Sequence, residues 1–311
     1  MNDRYRLFDL NNYPPVIQLF ISVSIVILGG TLLFYLFVFA GSLAFGKEMT
    51  EMLSIQPAAI SGDVYILKYI QVSQQIALFI IPAIVTARLL RKGDESFLKT
   101  DKLPGKIPLL MVITLALLLL PVTSYTGMLN SKMNLPGWLS GAENWMRTKE
   151  DAASDLTGLL IKSRGIGDLI INISILAIIP SVAEELIFRG ILQQLLCRIF
   201  KSGHIAIWIT AIFFSAVHIQ FFGFLPRLIL GLSFGYLFFW TGNLWIAVIA
   251  HFINNAVPVL MIHFARWNEL GDKASDLADK QILLPLVPAL ICVGILYYFW
   301  NENRKNLIER V

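Results

Sequence analysis

Long apolar stretches, separated by short charged or glycine- and proline-bearing segments, dominate the pattern along the chain. Most reach the ~20 residues that a helix needs to cross a bilayer. We therefore predict an all-α fold: a polytopic transmembrane helical bundle with about eight spans. The predicted spans are about 16–45, 64–90, 107–127, 170–197, 204–222, 225–241, 243–263 and 281–300.

Composition favours an integral membrane protein. Hydrophobic residues make up 56% of the 311 residues, charged residues only 15%, and the mean hydropathy is +0.68, beyond the usual range of soluble domains. The first apolar stretch is too long for a signal-peptide core and lacks a clear cleavage site, so we expect an uncleaved span. Residues 1–311 are predicted to form one membrane domain.

Charge indicates orientation and limits the partners. Lys and Arg are dense in the 88–106 segment, which predicts a cytoplasmic loop and, with an even number of spans, cytoplasmic termini in a bacterial cytoplasmic (inner) membrane. A net charge of +4 without a basic stripe indicates no nucleic-acid partner. Cys197 and Cys292 lie inside spans, so no disulfide framework is predicted. The long extramembrane loop, 128–168, is either a solvated connection or a substrate lid.

Ionisable residues within the apolar stretches are the candidates for function. The sequence "PSVAEELIFRG" carries Glu184, Glu185 and Arg189 in a predicted span, where an unpaired charge costs several kcal/mol. Glu185 and Arg189 are four residues apart, so they share a helix face and can pair. That pair has a purely structural interpretation. Glu184 has no partner on its own helix and must meet one elsewhere.

Histidines on other spans are the predicted partners of Glu184. His218 ends the stretch "AIFFSAVH", and His251 lies one turn before Asn255 on the same helix face. Counting along the spans places Glu184 and His251 near mid-membrane, and His218 one to two turns nearer the outer surface. Each histidine alone is also compatible with an ordinary interhelical hydrogen bond. The remaining histidines are expected at the membrane surface: His204 and His263.

Taken together, "EELIFRG", "FSAVH" and "HFINN" resemble the CPBP family of intramembrane proteases, also called Abi or CAAX-protease-like, which includes the CAAX prenyl endopeptidases. The family pattern is Glu-Glu-x-x-x-Arg, Phe-x-x-x-His and His-x-x-x-Asn on three membrane helices. The matching residues are Glu184, Glu185 and Arg189, Phe214 and His218, and His251 and Asn255. The resemblance covers about 175–257, including the small-residue face of Gly231 and Gly235.

The resemblance implies an active site in the membrane core that hydrolyses membrane-associated peptides or protein tails. Glu184 would be the general base, sharing a water with His218, and His251 and Asn255 would hold the oxyanion. Supporting roles are implied for Glu185 and Arg189. Alternatively, Glu184, His218 and His251 would bind zinc, so the cofactor is none or zinc. Asn255 is a poor zinc ligand, which favours the metal-free interpretation.

Other functions remain open at this point. The same site would serve bacteriocin immunity or the maturation of secreted peptides. A proton-coupled membrane carrier would use the glutamate and the histidines as a relay, although the sequence contains no inverted repeat. A non-catalytic scaffold would have no need of three intact motifs.

Overall fold

The computed structural model describes residues 9–54, 64–91, 96–161, 165–264 and 285–307. Regular secondary structure within these ranges is helical, without any strand, so the all-α prediction is confirmed. Lys92, which belongs to the basic 88–106 segment used for the orientation, lies outside the described residues, as do residues 281–284 of the last predicted span. Orientation therefore stays a prediction.

We number the helices in chain order. They are α1 Pro15–Phe45, α2 Met49–Ser54, α3 Val64–Leu89, α4 Lys106–Ser131, α5 Ser140–Ile161, α6 Ile166–Phe200, α7 Gly203–Ala216, α8 Phe224–Thr241, α9 Leu244–Phe264 and α10 Leu286–Leu307. Short 3₁₀ turns occur at Leu10–Asn12, Gly137–Leu139 and Phe221–Gly223.

The helices have the length and composition of membrane spans. Within the described residues, α1, α3, α4, α6, α9 and α8 with its preceding 3₁₀ turn are long and apolar enough to cross a bilayer. The chain is thus an integral membrane helical bundle. Helix α7 is shorter, with 14 residues, so the predicted span 204–222 is wrong at its far end. The 128–168 connection contains the 22-residue helix α5, which the sequence pattern did not predict.

Two of the long helices change their winding just before a proline. In α3 a π turn at Ile76–Ile80 precedes Pro82, and in α6 a π turn at Ser174–Ile178 precedes Pro180. Proline has no N–H to bond the carbonyl four residues earlier, and a wider turn accommodates this loss. A second π turn in α6, Phe188–Gln193, follows the two adjacent glutamates, so π turns lie on both sides of them.

Small residues let α7 and α8 approach each other closely. A Cβ atom at Gly231 would lie 3.0 Å from the Cβ of Ala211, and one at Gly235 would lie 3.0 Å from Cγ2 of Ile207. These spacings are tighter than ordinary van der Waals contact. The small-residue face predicted on this helix is confirmed.

Gly231→Val should destabilise the α7–α8 contact. The new side chain meets the backbone of Ala211, and overpacking of this kind costs about 1–3 kcal/mol. We expect a lower unfolding temperature in detergent, measured by fluorescence-detected thermal denaturation. Gly294→Val on α10 is the matched control, because a Cβ there meets no atom within 4 Å. Equal unfolding temperatures for the two variants would contradict the proposed packing.

Candidate active site

Glu185 and Arg189 form a fully buried ion pair on α6. Nη1 of Arg189 donates to Oε1 of Glu185 at 2.7 Å, and both side chains have 0% exposure. Nη2 of the arginine donates to the carbonyl of Gly231 on α8 at 3.0 Å. The predicted pairing within the helix is therefore present, and it also attaches α6 to α8.

Glu185 has a second partner that the sequence did not indicate. Nδ1 of His251 on α9 lies 2.8 Å from the same Oε1 atom. The His251 ring stacks on Phe234, with ring centroids 5.3 Å apart, and its side chain is 6% exposed. One carboxylate oxygen thus joins an arginine of its own helix to a histidine 66 positions later. No local spacing rule could have predicted this contact.

Glu184 lies between the two predicted histidines. Its Oε2 atom is 3.8 Å from Nε2 of His251 and 4.0 Å from Nε2 of His218, and its side chain is 12% exposed. The structure therefore brings together the three groups that the sequence placed on different helices. Both distances exceed hydrogen-bond length, so these atoms do not bond each other directly.

Helix α7 ends close to His218. Its last residue is Ala216, and His218 lies in the turn that follows, before Ile219 at φ +53°. A β-branched residue rarely adopts a positive φ, and no glycine or proline marked the position in the sequence. Nε2 of His218 still lies 4.0 Å from Oε2 of Glu184, so the predicted difference in depth does not keep the two side chains apart.

Hydrogen bonds at the far side of each ring determine its tautomer. Nδ1 of His218 lies 2.8 Å from the carbonyl of Phe214, and Nδ1 of His251 faces the Glu185 carboxylate. Both partners are acceptors, so both Nδ1 atoms carry a proton. In the neutral form each Nε2 then presents a lone pair toward Glu184. Three acceptors converge, and a proton donor or a cation is the species that suits the space between them.

Zinc suits these donors by chemistry but not by spacing. Histidines that bind zinc usually donate their other ring N–H to a carboxylate or a carbonyl, as both rings do here. Tetrahedral ligands at about 2.1 Å from zinc lie about 3.4 Å from one another. The separations from Glu184 are wider, at 3.8 and 4.0 Å. Within the described residues no group of three or more His, Cys, Asp or Glu is arranged to hold a metal ion.

Asn255 lies one turn after His251 on α9 and is partly buried. Its amide makes no hydrogen bond to the residues that the structure describes. The structure therefore places Asn255 on the predicted helix face without bringing it into contact with Glu184. Its role stays a prediction.

Arg227 is a charged neighbour of the site that the sequence pattern did not single out. This residue lies in the first turn of α8 and donates to Oε1 of Gln220 at 2.8 Å and to the Gln220 carbonyl. It lies within electrostatic range of Glu184, His218 and Glu150. The one available signal was its position nine residues after His218, in an otherwise apolar segment.

Helix α5 packs against the segment that follows His218. Glu150 accepts the backbone N–H of Phe222 at 3.3 Å, and the guanidinium of Arg147 lies 4.4 Å from the centre of the Phe222 ring. Trp145 packs against Phe221 with ring centroids 5.5 Å apart. The long connection is therefore partly packed on the site, in addition to being a solvated link.

The beginning of α5 is itself held in place by Glu143. This carboxylate accepts two hydrogen bonds from Arg147, at 2.6 and 3.0 Å, and one from the backbone N–H of Leu135 at 2.8 Å. The hydrogen bonds from Arg147, followed by the one from Leu135, lower the pKa of Glu143. The helix that contacts the His218 segment thus has a defined start.

Residues 166–257 match the family model described as Rce1-like, Type II CAAX prenyl endopeptidase. The matched region starts where α6 starts and contains every motif residue named above. This match agrees with the resemblance of the three motifs to the CPBP family. Within the matched segment the first motif lies on α6, the second at the end of α7 and the third on α9.

A similar protein matches this chain over a region of comparable length. The chain is 34% identical over 97 residues to the uncharacterized protein YpbD of Bacillus subtilis (strain 168), a region covering 30% of this chain and 47% of YpbD. The chain thus spans about half the length of this relative. No solved structure matches.

Arg189→Met should destabilise the fold strongly. Removing the arginine leaves the Glu185 carboxylate buried without its cation, and loss of one partner of a buried pair costs about 3–5 kcal/mol. Unfolding temperature in detergent measures the effect. The double variant Arg189→Met/Glu185→Gln should recover most of the loss, because the introduced glutamine carries no charge and still accepts from His251. Double and single variants of equal instability would show that the ion pair is not the cause.

Proposed function

We propose that the protein is a membrane-embedded endopeptidase that hydrolyses peptide bonds of membrane-associated peptides or protein tails. The observation that carries the proposal is the meeting of the Glu184 carboxylate with Nε2 of His218 and Nε2 of His251 in a mostly buried site. The CPBP-family match over residues 166–257 supports a CAAX-type protease. Both arguments point to hydrolysis by an activated water.

Glu184 is the proposed general base. A water held between its carboxylate and Nε2 of His218 would lose one proton to Glu184, while the water oxygen attacks the peptide carbonyl carbon. His218 suits the positioning of this water, since its protonated Nδ1 bonds Phe214 and leaves Nε2 as an acceptor. The protonated Glu184 then transfers the proton to the amide nitrogen. The C–N bond breaks, leaving a carboxylic acid and an amine.

His251 and Asn255 are the proposed donors to the oxyanion of the tetrahedral intermediate. Asn255 has an amide N–H pair for this purpose, whereas neutral His251 has only a lone pair at Nε2. Donation from His251 therefore requires the imidazolium form, and the Glu185 carboxylate bound to its Nδ1 would stabilise that charge. Loss of one such donor typically costs about 100- to 1,000-fold in kcat.

The same site would also serve peptide maturation or immunity to secreted peptides. These uses share the hydrolytic step and differ only in the substrate. Prenylated substrates are one class to test, because the matched family model carries that description. Comparing the cleavage of prenylated, otherwise lipidated and unlipidated peptides distinguishes these uses better than a single peptide does.

Glu184→Gln should abolish peptide cleavage while leaving the fold intact. Removing a general base typically costs about 100- to 10,000-fold in rate. The measurement is cleavage, followed by mass spectrometry, of prenylated, otherwise lipidated and unlipidated peptides by protein purified in detergent. His218→Ala should reduce kcat in the same assay. The matched controls are Glu302→Gln, on the exposed part of α10, and His204→Ala, whose ring bonds Tyr236 away from the site.

Cleavage that survives Glu184→Gln would refute the proposed mechanism. Zinc dependence is tested by adding a chelator to the wild-type protein and then restoring zinc. Proton-coupled uptake of solutes into liposomes without any proteolysis would favour the carrier and refute the endopeptidase.

A further inference from the structure

A cavity lies away from Glu184, near the ends of α6 and α8 and beside the segment between α3 and α4. Its volume is about 330 Å³, and its lining includes Lys99, Gln193, Cys197, Arg198, Phe238 and Phe239. Gln193 is nine positions after Glu184 on α6, so the cavity is about 13 Å further along that helix. None of the proposed catalytic residues lines it.

The electrostatics of this cavity favour an anion. Lys99 and Arg198 line it, and among the described lining residues none is acidic. The Arg198 guanidinium is already oriented, since it lies 4.8 Å from the centre of the Phe97 ring and donates to Oε1 of Gln18 at 3.2 Å. A planar guanidinium with further N–H groups available suits phosphate oxygens.

Hydrogen bonds from other helices hold the backbone of the cavity lining around Lys99. Residue 99 has φ +58°, and its carbonyl accepts the backbone N–H of Leu244 at the start of α9 at 3.1 Å. The carbonyl of Thr100 accepts Nε1 of Trp245 at 3.1 Å, and that of Phe97 accepts Nε2 of Gln194 at 2.8 Å. These contacts hold the backbone of this turn before any ligand arrives, so binding does not have to order it.

Gln193 joins the α6 side of the cavity to α8. Its Nε2 atom donates to the carbonyl of Gly235 at 3.0 Å, and its Oε1 atom lies 3.0 Å from the place that a Cβ at Gly235 would take. This contact holds the two helices together beside the cavity.

We propose that this cavity binds the phosphate group of an anionic phospholipid, for which phosphatidylglycerol is the probe. Basic pockets between membrane helices near one bilayer surface bind anionic headgroups, and this cavity lies at the helix ends nearest the densest Lys and Arg of the chain. Phe238 and Phe239 supply an apolar side for the lipid backbone. The proposal does not depend on the catalytic function.

Cys197 provides the readout, because it lines the cavity and the other cysteine, Cys292, is buried on α10. The experiment measures the rate of maleimide labelling of Cys197 in the Cys292→Ala protein, in nanodiscs of phosphatidylcholine alone or with phosphatidylglycerol. Phosphatidylglycerol should slow labelling. Two further arms add inorganic phosphate or glycerol phosphate to phosphatidylcholine nanodiscs.

Lys99→Asn/Arg198→Gln should remove the protection. Asparagine tolerates the positive φ of position 99, so the backbone turn is kept. Loss of two cations should weaken protection by about tenfold or more, since each Lys or Arg near an anionic surface contributes comparably. The matched control, Lys102→Gln/Lys106→Gln, removes the same charge from the same end of the molecule without altering the lining, and should retain protection.

Comparing nanodiscs that contain phosphatidylglycerol with added soluble phosphates distinguishes a lipid ligand from a free phosphate. Protection by phosphatidylglycerol alone supports the lipid, and equal protection by soluble phosphates overturns the lipid assignment in favour of a free phosphate ligand. Equal labelling in every condition overturns the anion site altogether, as does protection that persists in Lys99→Asn/Arg198→Gln. If that variant fails to fold, the comparison of nanodiscs with the wild-type lining still decides the question.

Discussion

The buried carboxylate of Glu185 is the interaction on which the rest of the site depends. One of its oxygens accepts from Arg189 on α6 and from His251 on α9, and the arginine in turn donates to the Gly231 carbonyl on α8. Three helices meet at this point without exposure to solvent. A carboxylate in such a place is tolerated because it has a cation and a second donor at hydrogen-bond distance. Glu185, which looks like a duplicate of Glu184 in the sequence, thus bonds one of the two rings that face Glu184.

This support also determines the chemistry available to Glu184. By bonding Nδ1 of His251, Glu185 leaves Nε2 of that ring directed toward Glu184, and the Phe214 carbonyl does the same for His218. Both rings consequently present the same nitrogen to one carboxylate oxygen. Glu185 thus orients the His251 imidazole, whereas Glu184 lies close to the Nε2 atoms of both histidines.

Contacts within a single helix followed directly from residue spacing, whereas contacts between helices were predicted only in part. Spacing of four residues was enough to pair Glu185 with Arg189, and the small residues of α8 were enough to predict its close approach to another helix. The bond from Glu185 to His251 joins distant positions, so no local rule contains it. The end of α7 just before His218 was also not predicted, because the positive φ at Ile219 has no glycine to mark it. Helix α5 and Arg227 were missed because their polar residues are typical of any loop.

The shortness of α7 has a consequence for the surrounding lipid. Its 14 residues span about 21 Å, against about 30 Å for the hydrocarbon core, and its outer face exposes Ile205, Trp208, Ile212 and Phe213. A lipid-facing helix of this length creates a hydrophobic mismatch, for which local thinning of the bilayer is one remedy. Such thinning would lie beside the turn that carries His218. It would bring headgroups and water nearer to Glu184 on this flank than the depth of the residue along α6 would suggest.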